Sequence, residues 1–83
     1  MFVLKFFKKH ESGLFSHVVS CQHYEKHVRE NGVTTITIYK SEFTENGIEF
    51  HISKEDDREH YYQCYIENIA GKTIDKVNVY LGA

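Results

Sequence analysis

Cysteine and histidine are the residues of this chain whose chemistry reaches furthest. The sequence holds Cys21 and Cys64, and six histidines at positions 10, 17, 23, 27, 51 and 60. Cys21 stands near His23 and His27, and a thiol beside an imidazole is the beginning of a nucleophilic pair, because the imidazole can take the thiol proton. On a strand, however, residues two apart share a face at about 6.5–7 Å, too far for direct thiol–imidazole contact. His23 and His27 would be one turn apart on a helix, a usable metal spacing. On a strand they would be about 13 Å apart and could not share an ion. The spacing therefore predicts half-exposed strand histidines, with no catalytic residue and no metal site. Glu55, Asp56, Asp57 and Glu59 lack the spacing and the glycine of a calcium loop. Neither a glycine-rich phosphate loop nor a nucleophile elbow nor a zinc-protease helix is spelled anywhere, so no cofactor is expected.

The elements that must position these residues follow from composition and pattern. Eighty-three residues make one domain. A chain of this size buries only about 60–65% of the surface that its unfolded form exposes, so the core must be small. The net charge of −2 argues against a nucleic-acid binder, which carries a basic stripe. Lys5, Lys8 and Lys9 form a local basic cluster, read as an edge strand guarded by lysines against sheet-to-sheet pairing. No apolar run approaches the ~18–20 residues that span a bilayer. The N-terminus places its apolar residues before its lysines, opposite to a secretory signal. A cytoplasmic protein complete from Met1, with two buried free thiols, is the expectation.

Proline is absent, and four of the five glycines lie between β-rich runs. That spacing predicts a meander of hairpins. Strand one covers Phe2 to Lys9, with Phe2, Leu4 and Phe6 on one face, and strand two begins at Leu14. Residues 20 to 32 fit either a helix capped by Ser20 or a strand. The strand is preferred because Glu30-Asn31-Gly32 leads directly into the β-branched run VTTITIY. A three-residue loop there pairs Val28 with Thr34, Lys26 with Ile36 and Tyr24 with Ile38, and matches the apolar residues. Strand three runs from Val33 to about Thr44, with a bulge or change of layer near Lys40-Ser41. Asn46-Gly47 predicts a two-residue turn that pairs Phe43 with Phe50 and Ser41 with Ile52.

The final hairpin, His60 to Leu81, is read with a four-residue turn at 69 to 72. It pairs Ile66 with Asp75, Cys64 with Val77 and Tyr62 with Val79 on a core face. The opposite face pairs Tyr61 with Tyr80, Gln63 with Asn78, Tyr65 with Lys76 and Glu67 with Ile74. Tyr61, Gln63, Tyr65, Lys76, Asn78 and Tyr80 combine aromatic area with polar tips, as protein-binding surfaces do. They are the predicted partner-binding residues.

Tyr62-x-Cys64-x-Ile66-x-Asn68-x-x-Gly71 resembles the F–G hairpin of intermediate-set immunoglobulin domains. Val19-Ser20-Cys21 is similar to their earlier cysteine strand, and Thr37-Ile38-Tyr39-Lys40 to the strand that carries their core tryptophan. The resemblance implies a corner role for Tyr62, an inter-sheet disulfide between Cys21 and Cys64, and an adhesion function. Ile38 stands where that family has its tryptophan, and the tight Asn46-Gly47 hairpin leaves little room for its middle strands.

The residues themselves lead to a different commitment: one all-β domain, an antiparallel meander of about six strands curled into a small sandwich or partly open barrel. It is expected to be no enzyme, and to act by occupying a partner protein's surface, as small phage or mobile-element inhibitors and accessory proteins do. A homodimer is expected, since exposed β edges and tyrosine faces associate readily. The alternatives are sequestration of a nucleotide or other small ligand at an oligomer interface, and the immunoglobulin-like adhesion role.

Overall fold

The structure is a computed structural model and describes residues 1–10, 13–41, 46–54 and 59–78. Its eight strands are β1 (Phe2–His10), β2 (Gly13–Cys21), β3 (His23–Val28), β4 (Thr34–Tyr39), β5 (Ile48–Ile52), β6 (His60–Tyr61), β7 (Gln63–Asn68) and β8 (Thr73–Asn78). They form two four-stranded sheets, ordered β2-β1-β7-β8 and β3-β4-β5-β6. The described residues are thus all-β as expected, but with eight strands instead of six, and they form no closed barrel. The fold is also no plain meander. The first strand pairs with the seventh, and β5 runs parallel to β6.

Strand alternation makes the core. Leu4 and Phe6 of β1, Cys21 of β2, and Cys64 and Ile66 of β7 point inward from the first sheet. Ile36 and Ile38 of β4 and Ile52 of β5 meet them from the second, and all eight are buried in one cluster. Between the two sheets the ring of Phe6 stacks on Phe50, centroids 4.3 Å apart. Tyr61 closes one end of this contact, 5.3 Å from Phe6.

A single residue separates β2 from β3, and another separates β6 from β7. At Gln22 and again at Tyr62 the chain leaves one sheet and enters the other. Successive contacts of β3 then fall on different strands of the first sheet: Tyr24 meets Phe2 of β1 at 5.1 Å, and Lys26 meets Asp75 of β8 at 2.8 Å. Hence β3 crosses those strands instead of following one, the arrangement in which corner strands serve two sheets. The change of layer expected near Lys40-Ser41 occurs at these two corners, and β4 ends at Tyr39.

Two hairpin loops share one construction. In the first, Arg29 donates its N–H to the carbonyl of Val33 (2.9 Å), and Gly32 donates to that of Arg29 (3.2 Å). In the second, Asn68 donates to Lys72 (2.9 Å) and Gly71 to Asn68 (3.0 Å). Both glycines are left-handed, with φ of +86° at Gly32 and +82° at Gly71, as a three-residue loop requires. The β3–β4 register is the expected one throughout: Val28 with Thr34, Lys26 with Ile36, Tyr24 with Ile38. In the β7–β8 hairpin the expected pairs Ile66–Asp75, Cys64–Val77, Tyr65–Lys76 and Gln63–Asn78 are present, but Glu67 faces Thr73 instead of Ile74. The Asn68 side chain accepts from the N–H groups of Ala70 and Lys72, both at 3.0 Å. This closes the loop one residue early, and a bulge at Ile74 restores the register.

Two further expectations are overturned. Ile52 pairs with Thr34 and not with Ser41; Phe50 pairs with Ile36 and Ile48 with Ile38. Residue 43 lies outside the described residues. A tight Asn46-Gly47 turn would have set Ile36 and Ile38 opposite the charged run 54–59. The observed register sets them opposite Phe50 and Ile48, so burial overrides turn propensity. Gly47 has another use. A Cβ there would collide with Thr37 Cγ2 and stand 3.1 Å from the carbonyl oxygen of Ile38. The lysine-rich strand is also no edge: β1 lies between β2 and β7. Lys5 pairs with Glu67 at 2.9 Å, and Lys8 lies 5.5 Å from the Tyr61 ring centroid.

Phe6→Ala is expected to lower the free energy of unfolding by about 3–5 kcal/mol, the cost of an emptied aromatic core position. Gly47→Ala should cost about 1–3 kcal/mol by crowding Thr37 and Ile38, whereas Asn46→Ala should stay within about 0.5 kcal/mol. Urea denaturation of the three variants reads all of these. A costly Asn46→Ala would restore the tight turn, which holds both of its central residues at positive φ, and a harmless Gly47→Ala would show that position 47 is not crowded.

Candidate functional site

The outer face of the first sheet carries the densest set of aromatic and amide groups. Its rows follow from the register. Val18, Lys5, Tyr65 and Lys76 stand side by side across β2, β1, β7 and β8, and the next row is Ser16, Phe7, Gln63 and Asn78. Alternation turns Phe6, Cys64 and Val77, which lie between them, toward the core. The Tyr65 ring packs edge-on against Phe7, centroids 5.5 Å apart, and the Lys5–Glu67 ion pair lies beside it. Val18 is 57% exposed. Among the described residues, no strand packs over this face, since the second sheet covers the opposite one.

Four of the six predicted partner-binding residues, Gln63, Tyr65, Lys76 and Asn78, share that face. Tyr61 does not. The corner at Tyr62 turns it into the second sheet, where it packs on Phe6 and Phe50 and pairs with Ile52. Tyr80, with the pairs Tyr61–Tyr80 and Tyr62–Val79, lies outside the described residues. The Oδ1 atom of Asn78 is buried without a hydrogen-bond partner among the described residues. Phe7 and Lys5 are additions to the site. Their alternation with Leu4 and Phe6 was visible in the sequence, but nothing local says that β1 and β7 are neighbours.

The histidines fall mostly on the other outer face. His27, Thr35, His51 and His60 make one row across the second sheet. His51 Nδ1 lies 3.4 Å from Thr35 Oγ1, and Arg29 Nε donates to the same hydroxyl at 3.0 Å. His60 Nδ1 is bonded to Ser53 Oγ. His23 and His27 are exposed on β3, too far apart along the strand to share an ion. Among the described residues, no group of three or more His, Cys, Asp or Glu side chains could hold a metal ion. The acidic run 55–58 lies outside them. A shallow depression at the β3–β4 loop is lined by His27, Val28, Arg29, Glu30 and Asn31 and opens to solvent.

Both cysteines are buried free thiols of the first sheet. They flank β1 on opposite sides, Cys21 beside Phe2 and Cys64 beside Phe6. The inter-sheet disulfide that the immunoglobulin resemblance implies is therefore not made. Burial pushes the Cys64 thiol up to about 12, and also raises Cys21. Such thiols hold their protons at neutral pH and are poor nucleophiles. Asp75 is shifted the other way. The Lys26 hydrogen bond holds its carboxyl below the usual value against partial burial, with help from the Lys76 backbone N–H at 2.8 Å.

No helix among the described residues is long and apolar enough to cross a membrane. No family model, curated protein or solved structure matches the chain.

In the native protein, a thiol-specific disulfide reagent should titrate Cys21 and Cys64 far more slowly than after unfolding in urea; rapid reaction of either would place it at a working surface. The Lys26–Asp75 pair gives a second expectation. A carboxylate with a lowered folded pKa adds stability that is present above its unfolded value of about 3.9 and is lost as pH falls through the folded value. Lys26→Met should remove about 0.2–1 kcal/mol at neutral pH, the range of partly exposed pairs, and flatten the decline in stability below about pH 4. Equal acid profiles for variant and parent would show that the pair contributes nothing.

Proposed function

We propose that this protein binds a partner protein without catalysis, through the outer face of its first sheet, and so acts as a cytoplasmic inhibitor or accessory factor. The observation that supports this most is the Phe7–Tyr65 aromatic pair, set among Gln63, Lys76 and the Lys5–Glu67 ion pair on four hydrogen-bonded strands. Rigid aromatic anchors with polar neighbours carry most of the energy of protein interfaces. Their backbone is already fixed, so binding costs little ordering. The high thiol pKa values also favour binding over covalent chemistry at Cys21 or Cys64.

Tyr65→Ser and Lys76→Glu test the face. Tyr65 is half-buried, so its loss should lower the melting temperature, by about 4–8 °C for each kcal/mol in a domain of this size, and leave the chain folded. Each variant is expected to lose a partner protein that the parent retains stoichiometrically. Retention by both variants would move the interface elsewhere. A rise in the parent's melting temperature with a nucleotide or metabolite mixture would favour the sequestering alternative, because a ligand that binds only the native state must stabilise it.

A further inference from the structure

An open sheet has two edges, and each is a row of main-chain donors and acceptors that invites another strand. Three of the four edges here carry a guard against that. β6 is only two residues long. β3 carries Glu25 and Lys26 and is tied to β8 by the Lys26–Asp75 bridge. β8 carries Asp75 and Lys76 and is broken by the bulge at Ile74. β2 has none of these guards. It spans nine residues, GLFSHVVSC, with no proline and no Asp, Glu, Lys or Arg. It pairs with β1 without a register shift from Gly13 to Cys21, and no described strand pairs with its other side.

We infer that β2 is a dimerisation edge, on which β2 of a second copy pairs antiparallel about a two-fold axis through Val18. The occupant follows from charge. Like charges placed opposite one another are destabilising, and an uncharged strand meets none in any isologous register. The edges β3 and β8 match their charges only in the one register that sets Glu25 against a lysine or Asp75 against a lysine. The uncharged β2 sets Val18 against Val18 of the partner subunit and leaves serines on either side, so an exposed apolar side chain (57%) is covered. A two-fold axis perpendicular to the sheet keeps the same face outward in both copies. The result is one eight-stranded sheet with both Phe7–Tyr65 pairs on one side. The dimer does not depend on what that face binds.

Sedimentation velocity and disulfide trapping test it on the full chain. The parent should sediment at twice the monomer mass. Val18→Lys, an exposed substitution, should return it to the monomer mass and leave it folded, with a melting temperature that no longer rises with protein concentration as the parent's does. Should that variant fail to fold, Val18→Cys decides: mild oxidation should trap it as a covalent dimer at least tenfold faster than Val28→Cys, a 70% exposed position on β3. A parent of monomer mass, a Val18→Lys variant that remains dimeric, or equal trapping at the two positions would each overturn the proposal. In the first case the edge would be left to a foreign strand. Loss of the dimer with partner binding intact, or the reverse, separates this surface from the Tyr65 face.

Discussion

The stacked rings of Phe6 and Phe50 hold the two sheets together, and most of the architecture can be derived from their contact. Phe6 has no exposed surface, and its ring meets Phe50 and Tyr61 from the opposite sheet. A chain this short has little apolar area with which to offset the entropy of ordering it. The placement of β5 is therefore decided by which register brings Phe50 over Phe6, and not by which turn is locally best. The same requirement keeps Ile36 and Ile38 on the inner side of β4 and draws Tyr61 inward to cover the end of the aromatic cluster.

The two corners explain why the molecule has one crowded face and one polar one. A strand that changes sheets after a single residue breaks the alternation that sequence patterning assumes. Before Tyr62 the chain serves the second sheet, where His60 joins His51 and Thr35 on an outer surface of imidazoles and hydroxyls. After it, Gln63 and Tyr65 join Phe7 on the outer surface of the first. Residues 60 to 65 thus contribute to both surfaces and to the core between them.

Much of the local structure was legible in the sequence. The β3–β4 register could be read because Val28, Lys26 and Tyr24 had a best match in Thr34, Ile36 and Ile38, and because Gly32 marked the loop. The pairing of Tyr65 with Lys76 was legible for the same reason. What could not be read was non-local. Nothing near Phe2–His10 says that Asn68 returns to lie beside Phe2, so the lysines of β1 suggested an edge and Phe7 stood apart from Tyr65. The Asn46-Gly47 dipeptide misled because its turn preference is weaker than the burial of two isoleucines. An uninterrupted strand would align Tyr61 with Tyr65, and the corner at Tyr62 breaks that alignment.

The central position of β1 has a consequence for how the chain is made. Its neighbour β2 follows at once, but its other neighbour, β7, emerges only after some sixty further residues. At a synthesis rate of about 5–20 residues per second, β1 spends seconds with one side unpaired. During that interval its second side is an edge in fact, open to nascent chains on neighbouring ribosomes. Lys5, Lys8 and Lys9 are the residue type that discourages pairing with the wrong strand. A device with no edge to guard in the finished protein thus has one to guard while the protein is being born.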